Sequence, residues 1–189
     1  MISVLAAGCG GGDSAESPAA VSEATDQTTT EATPDPAPEG PSAELRTSAF
    51  VDGATIPVEF TCDGAGTSPP LVLPVVPAGT ESVALLLQDP DAPGGTFLHW
   101  SVYGLQPDAG EFKAGSVPSG ALEGANDAGG EGYAPPCPPE GDDPHRYVFT
   151  VHALSSAPNL EAGASPADAV DEIEAASITG VELSGTYGR

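Results

Sequence analysis

Positive charge is what this sequence has least of. Its 189 residues include 4 Lys or Arg against 28 Asp or Glu, a formal net charge of -24. Such a chain repels nucleic acid and anionic lipid surfaces at long range, which excludes nucleic acid as a partner and basic-patch contact with membranes. No Lys or Arg occurs before Arg46, and from Leu45 onward 20 acids still face those 4 bases. Internal repeats are absent, and no HExxH-like spacing marks a metal site. Gly (24) and Pro (21) are plentiful, but they concentrate in loops and in the N-terminal region. About 145 residues remain for one domain with one sizeable core.

The opening run Met1-Ile2-Ser3-Val4-Leu5-Ala6-Ala7-Gly8-Cys9 is apolar and ends in small residues before a cysteine. It is shorter than a full signal h-region and no base precedes it, yet it resembles the end of a prokaryotic lipoprotein signal. Residues 1–9 are therefore read as a partial signal, with Cys9 as the lipidated residue of an exported, surface-anchored protein. Apart from Gln27, residues 10–43 are Ala, Ser, Thr, Glu, Asp, Pro and Gly with Val21 the only branched aliphatic. A segment so poor in apolar surface cannot offset its ordering entropy, so a disordered spacer is expected. The folded domain is expected over residues 44–189.

Within that domain the pattern is mostly strand. Phe50-Val51 and Ile56–Phe60 flank Asp52-Gly53-Ala54, which predicts two short strands and a turn. Val83–Leu87 is a continuous apolar run, as in a strand buried on both faces. Leu98–Leu105, Tyr147–Leu154 and Ile178–Tyr187 read as further strands. Ser165 as N-cap, Pro166 at N1 and Asp168 in the first turn predict a helix carrying Ala169, Val170, Ile173 and Ala176 at helical spacing. The fold class is mainly β, an antiparallel β-sandwich with one or two short helices.

Two polar clusters stand at strand ends. The first runs from Asp89-Pro90-Asp91-Ala92-Pro93 to His99-Trp100; the second from Gly132-Tyr133 through Pro136-Cys137 to His145-Arg146-Tyr147. Carboxylates, imidazoles and phenols beside proline-fixed loops are how a rigid sheet presents a small-ligand site. Alternation places His145 and Tyr147 on one face with Phe149 and Val151, and His152 on the other with Val148 and Leu154. His152 reads as a hydrogen-bonded core residue. Asp89, Asp91, His99 and His145 could also be drawn as a metal site, and Cys62 or Cys137 with His145 as a thiol nucleophile.

These clusters resemble the phosphatidylethanolamine-binding proteins, also called Raf kinase inhibitor proteins, and in detail their prokaryotic YbhB/YbcL branch. Further carriers of the resemblance are Phe60-Thr61-Cys62-Asp63-Gly64, Ser68-Pro69-Pro70-Leu71, Val76-Pro77-Ala78-Gly79-Thr80 and the Gly-Thr-Tyr-Gly-Arg stretch ending at Arg189. The resemblance spans Phe50 to Arg189. It implies a β-sandwich with a small anion pocket, and neither metal nor cofactor. By motif, the ligand-binding residues are Asp89, His99, His145 and Tyr147, with Asp91, Pro93, Trp100, Tyr133 and Pro136 at the rim. Asp89 cannot bind an anion while ionised, so its expected role is to orient an imidazole. Ala134 and Pro135 stand where relatives commonly have glycine, and Pro135 withdraws a backbone N–H from the rim. For an exported chain, a Cys62–Cys137 disulfide is favoured over two free thiols.

The reading is a surface-anchored, non-enzymatic protein that binds a small anion (phosphate, carboxylate or phospholipid headgroup) and meets the membrane only through its lipid. A hydrolase of small phosphate or carboxylic esters using His99 or His145 is the alternative. A protease-inhibitor-type interaction module is the second. No particular protein partner is indicated.

Overall fold

The structure, a computed structural model, describes residues 42–189. The expectations for the signal at 1–9, for Cys9 and for the spacer up to residue 41 lie outside the described residues. At the boundary, the Ser42 carbonyl already accepts the Val75 amide (2.7 Å), two residues ahead of the expected domain start.

Five antiparallel strands make the central sheet. They are β2 (Ser82–Asp89), β3 (Phe97–Leu105), β5 (Leu122–Glu123), β6 (His145–Leu154) and β7 (Ser177–Tyr187), in the order β5-β3-β2-β6-β7. A second sheet pairs β1 (Leu71–Val72) with β4 (Glu111–Phe112). Helix α1 (Pro166–Ala176) connects β6 to β7. Its start follows from sequence: Ser165 Oγ accepts the Asp168 amide and Pro166 lacks the N–H that would go unpaired there.

The continuous apolar run of β2 is explained by burial on both faces. Val83, Leu85 and Leu87 enter a core with Trp100, Val102, Tyr147, Phe149 and Val151 of neighbouring strands. That core is closed by Leu71 and Phe112 of the small sheet and by Phe50, Ile56 and Phe60 from irregular segments. Ala84 and Leu86 face the other way, packing with Leu98, Tyr103 and Leu154 under Ala169 and Ile173 of α1. The sandwich is thus lopsided, with a full sheet on one side and a two-stranded sheet plus loops on the other.

The segment Phe50–Phe60 corrects one expectation. The turn at 52–54 forms, with the Ala54 amide donating to the Val51 carbonyl (3.0 Å), but its flanks are not strands. Instead the segment lies along β7, with the Ile56 amide on the Thr186 carbonyl and the Thr186 amide on the Ala54 carbonyl. Pro57 has no N–H to continue a ladder, and Val58–Phe60 turns into a single 3-10 turn. Gly185 permits the approach, since a Cβ there would stand 2.6 Å from Ile56 Cγ1.

Strand β3 carries the irregularity that matters most. Leu87 pairs with Trp100, but the next residue, Gln88, pairs with Leu98, so His99 is an extra residue in the ladder. This β-bulge turns His99 and Trp100 towards the same core while Leu98 faces α1.

Candidate functional site

Asp89 is the last residue of β2, and its two oxygens are both engaged by protein. Oδ1 accepts the Asp91 amide (2.8 Å) across Pro90, a local turn that fixes the carboxylate. Oδ2 accepts from Nδ1 of His145 at 2.7 Å. Asp91 in turn accepts the Arg146 amide through Oδ2 (2.8 Å), pinning the loop after β2 to the start of β6. Accepting from protein donors at both oxygens, the carboxylate is placed to orient the His145 ring.

His99 is fixed from the other side. Its Nδ1 donates to the Ala134 carbonyl (2.9 Å), and the Ala134 amide returns a bond to the His99 carbonyl (2.8 Å). A carbonyl only accepts, so Nδ1 of His99 carries the proton. The same logic gives Nδ1 of His145 the proton opposite Asp89. Neither Nε2 has a hydrogen-bond partner among the described residues. Burial pushes the His99 pKa below its ordinary value of 6.5, partly offset by the Ala134 bond and the Asp89 and Asp127 charges.

Tyr147, two residues after His145 on the same face of β6, meets the His99 ring edge-on (centroids 5.2 Å, 76°). Its hydroxyl is buried and makes no well-formed hydrogen bond. The Cys137 amide and Arg189 stand near enough to ease its ionisation, but burial and the Asp89 charge dominate and push the phenol well above its ordinary range. All four side chains converge. With residue exposures of 3% (Asp89), 6% (His99), 6% (His145) and 0% (Tyr147), they form a nearly sealed cluster.

The larger cavities lie elsewhere. A groove of about 810 Å³ runs between the 72–80 segment and residues 107–111 and contains none of the four. Its walls are mainly apolar and hold no convergent donors, so volume alone does not make it the chemical site. A second cavity, about 300 Å³, is lined by Trp100 and Tyr133 together with Glu123 and Glu131.

The rim residues scatter. Asp91 and Pro93 are exposed in the loop after β2. Trp100, expected at the rim, is fully buried because the bulge turns it into the core, where its indole N–H donates to Glu123 Oε1 (2.7 Å). Tyr133 packs edge-on against Trp100, and its hydroxyl donates to the Phe60 carbonyl (2.8 Å). Pro136 is buried, its carbonyl accepting the Cys62 amide (3.1 Å). Beside it Cys62 and Cys137 form a disulfide with Cα atoms 5.4 Å apart. Among the described residues, no group of three His, Cys, Asp or Glu side chains is arranged to hold a metal ion.

Sequence reasoning missed a polar group at the C-terminus, of which Tyr187 and Arg189 act electrostatically on the Tyr147 phenol. Arg189 donates through Nε to the Pro138 carbonyl (2.7 Å), while Asp63 accepts the Tyr187 hydroxyl (2.6 Å) and faces Arg189 Nη1 (3.5 Å). Their signal was the Gly-Thr-Tyr-Gly-Arg stretch, which supplies both Tyr187 and Arg189.

Comparison with known proteins decides the family. The family model described as phosphatidylethanolamine-binding protein matches residues 46–188. This chain belongs to the phosphatidylethanolamine-binding protein family. Among relatives, "Putative lipoprotein LppC" of Mycobacterium tuberculosis is 40% identical over 187 residues, 99% of this chain and 90% of that protein. A UPF0098 protein of Methanothermobacter thermautotrophicus is 41% identical over 150 residues, covering 77% of this chain and 98% of its own. The crystal structure of Escherichia coli YbcL, described as a new member of the mammalian family, superimposes with a TM-score of 0.74 at 30% identity. It covers 77% of this chain and 98% of YbcL. Among the described residues no helix is long and apolar enough to cross a membrane.

Proposed function

We propose that this member of the family is a non-catalytic binding protein, tethered at an exported surface through Cys9, whose His99–His145–Tyr147 cluster receives a small oxyanion. Phosphate, a carboxylate and a phospholipid headgroup share that chemistry. One observation carries the reading: the Tyr147 hydroxyl is buried without a partner beside two imidazoles whose Nδ1 atoms are already engaged. Native interiors satisfy such groups, and an unpartnered buried hydroxyl next to two imidazoles supports a ligand position there. With 20 acids against 4 bases from Leu45 on, the overall field opposes anions, so affinity has to come from short-range bonds in a dry site.

Catalysis is less well supported. The two domain cysteines are joined, which removes a thiol nucleophile, and burial keeps the Tyr147 phenol protonated. The tether is supported by the relative whose name is "Putative lipoprotein LppC" and whose match extends over 99% of this chain. Titration calorimetry with inorganic phosphate tests the site: the wild type should bind, and the His99→Ala/His145→Ala variant should bind at least ~10-fold more weakly. Equal affinity in the two would end this assignment.

A further inference from the structure

Strand β7 is one edge of the central sheet, and its two halves are covered differently. Over the C-terminal half, residues 52–56 take the outward backbone groups. The Ser184 carbonyl accepts the Gly53 amide (2.8 Å), the Thr186 amide donates to the Ala54 carbonyl (2.9 Å), and the Asp52 carboxylate accepts the Ser184 amide (2.8 Å). Ser184 and Thr186 therefore turn their N–H and C=O away from β6. The β6–β7 register runs without a slip from Tyr187 back to Thr179. Outward groups recur at every second residue of an antiparallel ladder, so Glu182 and Gly180 present theirs outward too. Among the described residues, no segment takes these four groups. Ile178, Thr179, Gly180 and Glu182 are exposed, and the stretch has neither the Lys nor the Pro that commonly blunts an open edge.

The two faces beside this edge differ in chemistry. On the loop side, Thr179 and Val181 share an apolar hollow with Val75 and Val76, and Val75 is 59% exposed. On the helix side, the Cβ position of Gly180 lies against the His152 ring, which feels the carboxylates of Glu174 and Glu182. Where the open half meets the covered half, a cavity of about 400 Å³ gathers Glu182 with Glu44 and Asp52, and Arg46 is the single base in its wall. We infer that the open half of β7, Ile178–Glu182, is a docking edge that takes an extended cationic peptide as an added strand of the sheet. Apolar side chains of that peptide lie towards Val75 and Val76, and its Lys or Arg side chains lie towards Glu174 and Glu182. Main-chain bonds to Gly180 and Glu182 fix the register, while the acids select the partner. A second copy of this chain is the poorer occupant, because it brings a formal charge of -24 against its own.

Fluorescence anisotropy of the full chain with labelled Lys-Val-Lys-Val-Lys-Val-Lys tests this at low ionic strength. In the antiparallel order of the sheet, residues opposite Gly180 and Glu182 share their face, so the lysine amides point at β7 and the valine amides at solvent. N-methylation of two central lysine amides should weaken binding at least ~10-fold, and N-methylation of two valine amides should change it less than ~2-fold. The acidic counterpart Glu-Val-Glu-Val-Glu-Val-Glu should not bind. Glu182→Pro removes an outward N–H without breaking a bond to β6, so at an unchanged thermal midpoint it should lose more affinity than Glu182→Gln, which removes the charge alone. Equal affinity of the three lysine peptides would reduce the contact to diffuse charge attraction and overturn the added strand. A chain that sediments as a dimer, and becomes a monomer with Glu182→Pro, would give the edge to a second copy and overturn the peptide.

Discussion

Strand β6 carries two histidines seven positions apart, and they live in different surroundings. His145 faces the loop-covered side of the sheet, bonded to a buried carboxylate and grouped with His99 and Tyr147. His152 points to the helix side, half-buried, with Nδ1 3.0 Å from the Ser177 hydroxyl where α1 gives way to β7. The strand and the residue type are the same, so the difference comes from what covers each face. A helix covers its face with apolar side chains in register. Proline-rich loops tied down by a disulfide and by side-chain bonds can bring carbonyls, amides and a guanidinium to one point.

Breaking the loop cover should have the largest effect. The disulfide closes a chain separation of 75 residues, and its loss in Cys62→Ala/Cys137→Ala should cost about 4 kcal/mol of unfolding free energy. Urea titration measures this, and phosphate affinity should fall in parallel because Pro136–Pro138 is no longer held over Tyr147. The helix face should behave in the opposite way. Ile173→Ala, deep in the α1 contact, should destabilise by about 3 kcal/mol yet leave phosphate affinity unchanged in the folded protein. If affinity drops as well, the two faces are not independent.

A smaller effect separates orientation from binding. Asp89→Asn keeps the side chain's shape but weakens its hold on His145, and phosphate affinity should fall about 10-fold with little change in thermal midpoint. A loss of midpoint as large as that of Ile173→Ala would make Asp89 a structural residue. The smallest effect is in pH. Burial holds both His99 and His152 below the ordinary value of 6.5. The unfolded chain therefore takes up protons first, so these rings contribute stability above that value and lose it as pH falls through the folded-state values. Thermal melts across the acid range should show the decline, and His152→Gln should flatten part of it. A flat wild-type curve would contradict the assignment of both rings as buried and neutral.

Much of this was legible in the sequence because it rests on short-range rules. The β2 run, the capped helix and the long strands β6 and β7 follow from periodicity and from Ser165-Pro166. Alternation along β6 also separated His145 and Tyr147 from His152. The two-residue strands β1, β4 and β5 are too short to carry a period. The Phe50–Phe60 segment has strand-like composition, but Pro57 and its docking against β7 override propensity. Alternation could not place His99, because a bulge is a break in the very period used to read a strand. Motif resemblance, which does not depend on period, put His99 with the others. It put Trp100 at a rim for the same reason it could not see the bulge.

The bulge also makes His99 an insertion relative to the rest of the sheet. Leu87 opposite Trp100 and Gln88 opposite Leu98 are the pairings that an uninterrupted ladder would have if residue 99 were absent. Deleting this one residue, rather than replacing it, lets Trp100 and Leu98 keep their opposite faces while straightening the strand. The domain thus contains the blueprint of its own blank: a shorter chain with the same core and His145 as the cluster's remaining imidazole, and a cleaner reference protein than any substitution that leaves a misfit side chain behind.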